Sequence, residues 1–149
     1  MKGRKIIAVI GGRECDETLY QMAQEVGRRI AEGGAILICG GRGGVMEAAC
    51  RGAAEVNGIS VGILPGDNIA DANAYVTIPI ATGIGLARNF IIVRSATAAI
   101  AIGGQYGTLS EIAYCLQLGV PVFGLHSWDI EGVIPVETSE QAVDLALQE

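Results

Sequence analysis

The chain is poor in the residues that build metal centres and nucleophilic sites. Its four cysteines, Cys15, Cys39, Cys50 and Cys115, form no CxxC pair, and His126 is the lone histidine. Neither a zinc site nor a Cys/His catalytic pair is expected, and no metal ligand is assigned. Cys39 and Cys115 lie in apolar runs and read as buried thiols, which suits a reducing compartment. Charge is scarce as well: 17% of the residues are charged, against a usual share of about a quarter. Lysine is nearly missing, with Lys2 and Lys5 standing beside eight arginines. The net charge of −6 argues against a nucleic-acid partner, which normally meets a basic stripe. No apolar run is long enough to span a membrane, and Lys5–Ile10 is too short for the apolar core of a signal peptide. These absences lead to the expectation of a cytoplasmic protein with neither membrane nor nucleic-acid contacts.

What is present is hydrophobicity and glycine. Half of the 149 residues are hydrophobic, enough for one domain, residues 1–149, with a real core. The 22 glycines cluster at turns. The arginines suit planar, bidentate contact with phosphate or carboxylate.

Strand and helix signals alternate along the chain. Lys5–Ile10 reads as a buried strand closed by Gly11-Gly12. Asp16 caps a predicted helix to about Glu32, with Leu19, Met22, Ala23, Val26 and Ile30 on one face and Gly33-Gly34 at its end. Strands follow at Ala35–Cys39, Ser60–Leu64, Tyr75–Ile80, Ala98–Ile102 and Pro121–Leu125. Helices are expected over Val45–Val56, Leu86–Ala96, Thr108–Leu118 and Ser139–Leu147. The pattern predicts an α/β fold: a doubly wound, mostly parallel sheet of about six or seven strands, Rossmann-like, with helices on both faces. The Leu86–Ala96 helix is apolar on every side around Phe90-Ile91-Ile92-Val93. Such a helix is covered twice, by the sheet and by either a second subunit or a neighbouring helix; a homodimer is expected.

Two glycine turns stand at strand-to-helix junctions: Gly40-Gly41-Arg42-Gly43-Gly44 and Gly103-Gly104-Gln105-Tyr106-Gly107-Thr108. Exposed backbone N–H groups and a helix N-terminus are suited to hold an anion there, usually a phosphate. Gly11-Gly12 falls at the same carboxyl edge of the sheet, where such folds bind ligands. Arg13, Arg42 and Arg88 each sit in or beside a turn that enters a helix, against the helix dipole, and a bound anion would reverse that penalty. Thr108 and Glu111 have a plain alternative as a capping box. Tyr106 either stacks on a base or shields its turn. Glu47 suits the first turn of its helix. Asp67, Asn68, Asp71 and Asn73 form either a polar lid or a solvated loop.

At the two turns the chain resembles the LOG-type Rossmann family, formerly labelled lysine decarboxylase-like. Gly40-Gly41-Arg42-Gly43-Gly44-Val45-Met46 matches its first motif, and Gly103-Gly104-Gln105-Tyr106-Gly107-Thr108-Leu109-Ser110-Glu111 matches its PGG-x-GT-x-x-E motif. The departures are Gly103 for proline, Gln105 for the second glycine, and Asn89 for the lysine that usually follows the catalytic arginine, here Arg88. The short acidic form is more similar to a branch related to molybdenum-cofactor carrier proteins and, distantly, to DprA. The resemblance implies a bound nucleotide or pterin such as molybdenum cofactor, with no further cofactor required. Its enzymes are phosphoribohydrolases, which free a base from nucleoside 5′-monophosphates; Arg88 would then hold phosphate or developing charge and Glu111 would position water. Binding of a small phosphorylated ligand is the first reading of function, hydrolysis the second, and single-stranded DNA binding the third and least favoured.

Overall fold

The computed structural model describes residues 3–149. Seven strands form one sheet: β1 (Ile6–Gly11), β2 (Ile36–Cys39), β3 (Ser60–Leu64), β4 (Ile78–Ala81), β5 (Ala98–Ile102), β6 (Val122–Leu125) and β7 (Ile134–Val136). Every pairing is parallel, in the order β4-β3-β2-β1-β5-β6-β7. Five helices alternate with them: α1 (Glu17–Glu32), α2 (Val45–Glu55), α3 (Arg88–Ser95), α4 (Tyr106–Leu118) and α5 (Ser139–Leu147).

Side-chain alternation along the strands divides the core in two. Ile7, Val9, Leu37, Ile100 and Leu125 face α1, α2 and α5, while Ala8, Ile10, Ile38, Ala99 and Ala101 face α3 and α4. The central strand β5 is buried along its whole length, as its unbroken Ala-Ala-Ile-Ala-Ile run requires. The doubly wound Rossmann-like fold is therefore the one the alternation predicts. Among the described residues no helix is long and apolar enough to cross a membrane.

Local chemistry sets most boundaries. Asp16 caps α1 by accepting a hydrogen bond from the Leu19 amide at 2.8 Å, and Gly33 ends it. The fourth strand starts at Ile78 rather than Tyr75, because the Asn73 side chain accepts from the Tyr75 amide and holds a turn there. The segment Gly85–Ala87 is a turn of 3-10 helix, so α3 begins only at Arg88. Strand β7 is too short and too exposed to leave a period in the sequence, and Pro135 fits its edge position. The α3 surface is covered in part by α4 of the same chain, where Phe90 meets Tyr114 edge to face at 5.4 Å.

Chain order reverses at β1. From there the connections run outward to β2, β3 and β4 on one side and to β5, β6 and β7 on the other. The crevice at such a switch point, beyond the carboxyl ends of the strands, is where open α/β sheets bind ligands.

Candidate functional site

A cavity of about 740 Å³ opens at this switch point. Gly11, Gly12 and Arg13 after β1, Arg42 and Gly43 after β2, and Gln105, Gly107 and Thr108 after β5 line it, together with Arg88 and Glu111. The structure thus brings both glycine turns and all three turn arginines to one wall. Gly40, Gly41, Gly44, Gly103, Gly104 and Tyr106 do not line it, although each was a candidate binding residue. Tyr106 points into solvent, 83% exposed.

Two of these glycines show what the first turn is built for. Gly44 has φ 62°, and a Cβ there would stand 2.3 Å from the Gly12 carbonyl. The Val45 amide donates to that same carbonyl at 3.0 Å, which pins the start of α2 to the β1 turn. Gly40 makes room for a cation: a Cβ would lie 2.7 Å from Nη2 of Arg88. Neither α2 nor α4 carries a side-chain cap at its N-terminus. Their first-turn N–H groups are free of that competition.

The second turn does not form the capping box that is the alternative reading of Thr108 and Glu111. Gly103 and Gly104, at φ 56° and 121°, reverse the chain directly after β5, so α4 starts at Tyr106 and its N-cap is Gln105. Thr108 therefore sits inside the helix, and its hydroxyl does not cap it. Thr108 is 2% exposed, and Oγ1 is buried with no hydrogen-bond partner. Arg88, at the first position of α3, leaves Nε in the same condition. Buried polar atoms are nearly always paired, because an orphan costs about 1–3 kcal/mol. Both residues border the cavity, and both orphaned atoms lie just beneath its surface.

Glu111, one helical turn beyond Thr108, is also buried. Burial pushes its carboxyl up to about 8, and Arg88 opposes the rise. Near neutral pH this favours the protonated acid, which is able to donate a hydrogen bond. Burial draws the Arg88 guanidinium below its ordinary value, an effect that Glu111 opposes. Arg42 points along the rim, where its Nη1 donates to the Asp71 carbonyl at 3.3 Å.

The sequence missed several wall residues: Glu14, Met46, Leu86 and Asn89. Of the polar segment read as lid or loop, Asp71 and Asn73 reach the wall, whereas Asp67 and Asn68 do not. Asn73 fastens the first glycine turn by donating from Nδ2 to the Arg42 carbonyl at 2.9 Å and from its amide to the Gly41 carbonyl at 2.9 Å. The second turn is held from behind by residues that no motif marked. Ser127 Oγ donates to the Gly103 carbonyl at 2.6 Å, and Trp128 Nε1 to the Gln105 carbonyl at 3.3 Å. His126, given no role, ends β6 with a left-handed backbone, φ 51°. Glu47 lies outside the wall. Beneath the first turn, Cys39 and Cys50 are buried free thiols with Sγ atoms 3.5 Å apart.

The structure is thus a doubly wound α/β fold with a cavity at its central switch point. The chain belongs to the SLOG cluster4 family, whose sequence model matches residues 4–148. A protein of uncharacterised function from Archaeoglobus fulgidus is 49% identical over 142 residues, covering 95% of this chain and 93% of that one. The molybdenum cofactor binding protein of the phototrophic bacterium Rippkaea orientalis has a solved structure similar to this one. It superposes with a TM-score of 0.92 at 36% identity, over 97% of this chain and 96% of its own. The molybdenum cofactor carrier protein of Chlamydomonas reinhardtii gives 0.90 at 34% identity, over 98% of both chains.

Proposed function

We propose that this protein binds a phosphorylated pterin, molybdenum cofactor being the candidate its structural relatives suggest, and holds it for delivery. The observation that carries the reading is the pair of buried, unpartnered donors, Arg88 Nε and Thr108 Oγ1, on the wall of one cavity. They come from separate crossovers, at the starts of α3 and α4, and both residues border the one cavity. The uncapped N-termini of α2 and α4 favour the same charge. Arg13 and Arg42 supply further cations, while Glu111, kept neutral by burial, does not repel the anion. A cavity of about 740 Å³ lies within the roughly 300–1,000 Å³ range of small-molecule sites.

In this reading the chain performs no bond cleavage. Arg88, Thr108 and the backbone of the turns hold the phosphate, Leu86 and Met46 offer apolar contact to the heterocycle, and Glu111 donates its proton in a hydrogen bond. The experiment is anaerobic incubation with molybdenum cofactor released from a molybdoenzyme, followed by gel filtration and metal analysis. Near-stoichiometric molybdenum on the wild type, with most of it lost in Arg88→Ala and Thr108→Val, supports the proposal. Wild-type protein that emerges free of molybdenum contradicts it.

One observation favours a second reading. Glu111 places a carboxyl group in the cavity beside a cation, the pairing that cleavage of a nucleoside 5′-monophosphate needs. Its high pKa makes it a water-activating base only as pH rises toward about 8. Release of free base from AMP, rising over that range and lost in Glu111→Gln, would establish the hydrolase.

The segment around α3 also supports self-association. Ile84, Leu86 and Phe90 remain exposed beside the cavity, and the expected homodimer would cover them. Sedimentation of wild type against Leu86→Glu tests this: a dimer that becomes monomeric in the variant supports it, and a monomeric wild type refutes it.

A further inference from the structure

Asn89 occupies the position where the resembling family usually carries lysine, and in this chain it does something lysine is unable to do. It is 3% exposed and lines the cavity. Its Oδ1 accepts from Nη1 of Arg88, and its Nδ2 donates to Ser110 Oγ at 3.3 Å. Ser110 Oγ in turn donates to the Gly107 carbonyl at 2.7 Å. A continuous run of hydrogen bonds thus joins the guanidinium at the start of α3 to the first turn of α4, whose next residue is Thr108.

The run also restrains the Arg88 guanidinium where it borders the cavity. Nη1 is engaged by Asn89, and Nη2 rests against the bare Cα of Gly40. Nε is left as the buried donor without a partner. Only a side chain with both an acceptor and a donor links the two helices in this way. Lysine offers donors alone and would set a second cation against Arg88; leucine offers nothing.

We propose that Asn89 is a positioning residue: it fixes the Arg88 guanidinium at the cavity and keeps it in register with Thr108. The proposal rests on the reading that the cavity takes a phosphorylated ligand.

The test has two independent arms. In the first, ligand-free protein with nitrogen-15 arginine is examined by NMR, the Arg88 signal being assigned with Arg88→Lys. The wild type should show a Nε–H protected from exchange and a guanidinium restrained from rotation; Asn89→Leu should lose both. In the second arm, guanosine 5′-monophosphate is the probe, because it joins a phosphate to a pterin-like heterocycle. Binding is followed by the fluorescence of Trp128, which is hydrogen-bonded to the N-cap residue of α4.

Asn89→Leu should weaken binding about tenfold or more, since its partner is charged, and Ser110→Ala by a few-fold. In an Arg88→Ala background the Asn89 effect should vanish. An undiminished effect in that background, or an Arg88 signal still restrained in Asn89→Leu, overturns the proposal. Should Asn89→Leu fail to fold, Ser110→Ala takes its place in both arms, with the same two outcomes. A wild type that does not bind the probe counts against the phosphorylated-ligand reading, while the NMR arm still decides the role of Asn89.

Discussion

The two glycine turns look alike in sequence and do different work. In the first, glycine is needed for backbone to meet backbone: Gly44 packs on Gly12 and Arg13, Gly41 on Gly62 and Leu64, and Gly40 under Arg88. In the second, Gly103 and Gly104 reverse the chain and pack against side chains, Gly103 on Leu19 and Gly104 on Thr108, and the residues after them, Gln105, Gly107, Thr108 and Glu111, form the cavity wall. The first turn is scaffold that brings a cation into place. The second delivers polar groups to the ligand space. Glycine content marks where the chain bends sharply, and the neighbouring polar side chains mark where chemistry is possible.

The largest expected effect tests the scaffold half. Gly44→Ala meets both a left-handed backbone and the Gly12 carbonyl at 2.3 Å, so it should cost about 3 kcal/mol or more and lower the melting temperature by roughly 10 °C. Gly107→Ala is its counterpart, because a Cβ there meets nothing within 4 Å. Its stability should change by less than about 0.5 kcal/mol, while binding of guanosine 5′-monophosphate weakens. Calorimetry of the two variants compares the turns directly; equal losses of stability would erase the distinction.

Next is Thr108→Val. Removing an unpartnered buried hydroxyl should leave stability unchanged or raise it by up to about 1 kcal/mol, yet reduce affinity for the probe about tenfold. A variant that binds normally would return Thr108 to a packing role.

Glu111 gives an effect that depends on pH. Its folded pKa of about 8 lies above the ordinary carboxyl value of 4.5, so the folded state holds a proton that the unfolded state releases. Stability from this group is complete below the unfolded value, declines as pH rises and is lost by about pH 8. Glu111→Gln should remove that decline, and thermal melts from pH 5 to 9 should converge at the acid end and separate by several degrees at the alkaline end. Above pH 8 the ionised carboxylate should also weaken anion binding in the wild type alone.

The smallest effect concerns the support behind the second turn. Trp128→Phe removes one long hydrogen bond to the Gln105 carbonyl and should cost about 0.5–1 kcal/mol, with a modest loss of affinity.

Much of this comparison was legible before any coordinates. Strand–helix alternation carried the parallel sheet, and its crossovers brought Gly11, Arg42, Arg88 and Thr108 to one edge. The Thr108–Glu111 spacing was misleading as a capping box, because spacing alone does not say where a helix begins; two left-handed glycines advanced α4 to Tyr106. Asn89 is legible as a departure from the family pattern but not as a wall residue, and Leu86 only as a helix start, because a single polar or apolar residue at the start of a helix has no period. Ser127 and Trp128 act through backbone carbonyls distant in sequence, a relation no local pattern encodes. Strand β7 is three residues long and takes its order from pairing with β6 rather than from propensity.

The central claim is that donors from α3 and α4 converge on one anion. A crystal structure of the protein grown with guanosine 5′-monophosphate tests it most directly. The account predicts the phosphate within hydrogen-bond distance of both Arg88 Nε and Thr108 Oγ1. A phosphate bound elsewhere, with those two atoms still unpartnered, would contradict it.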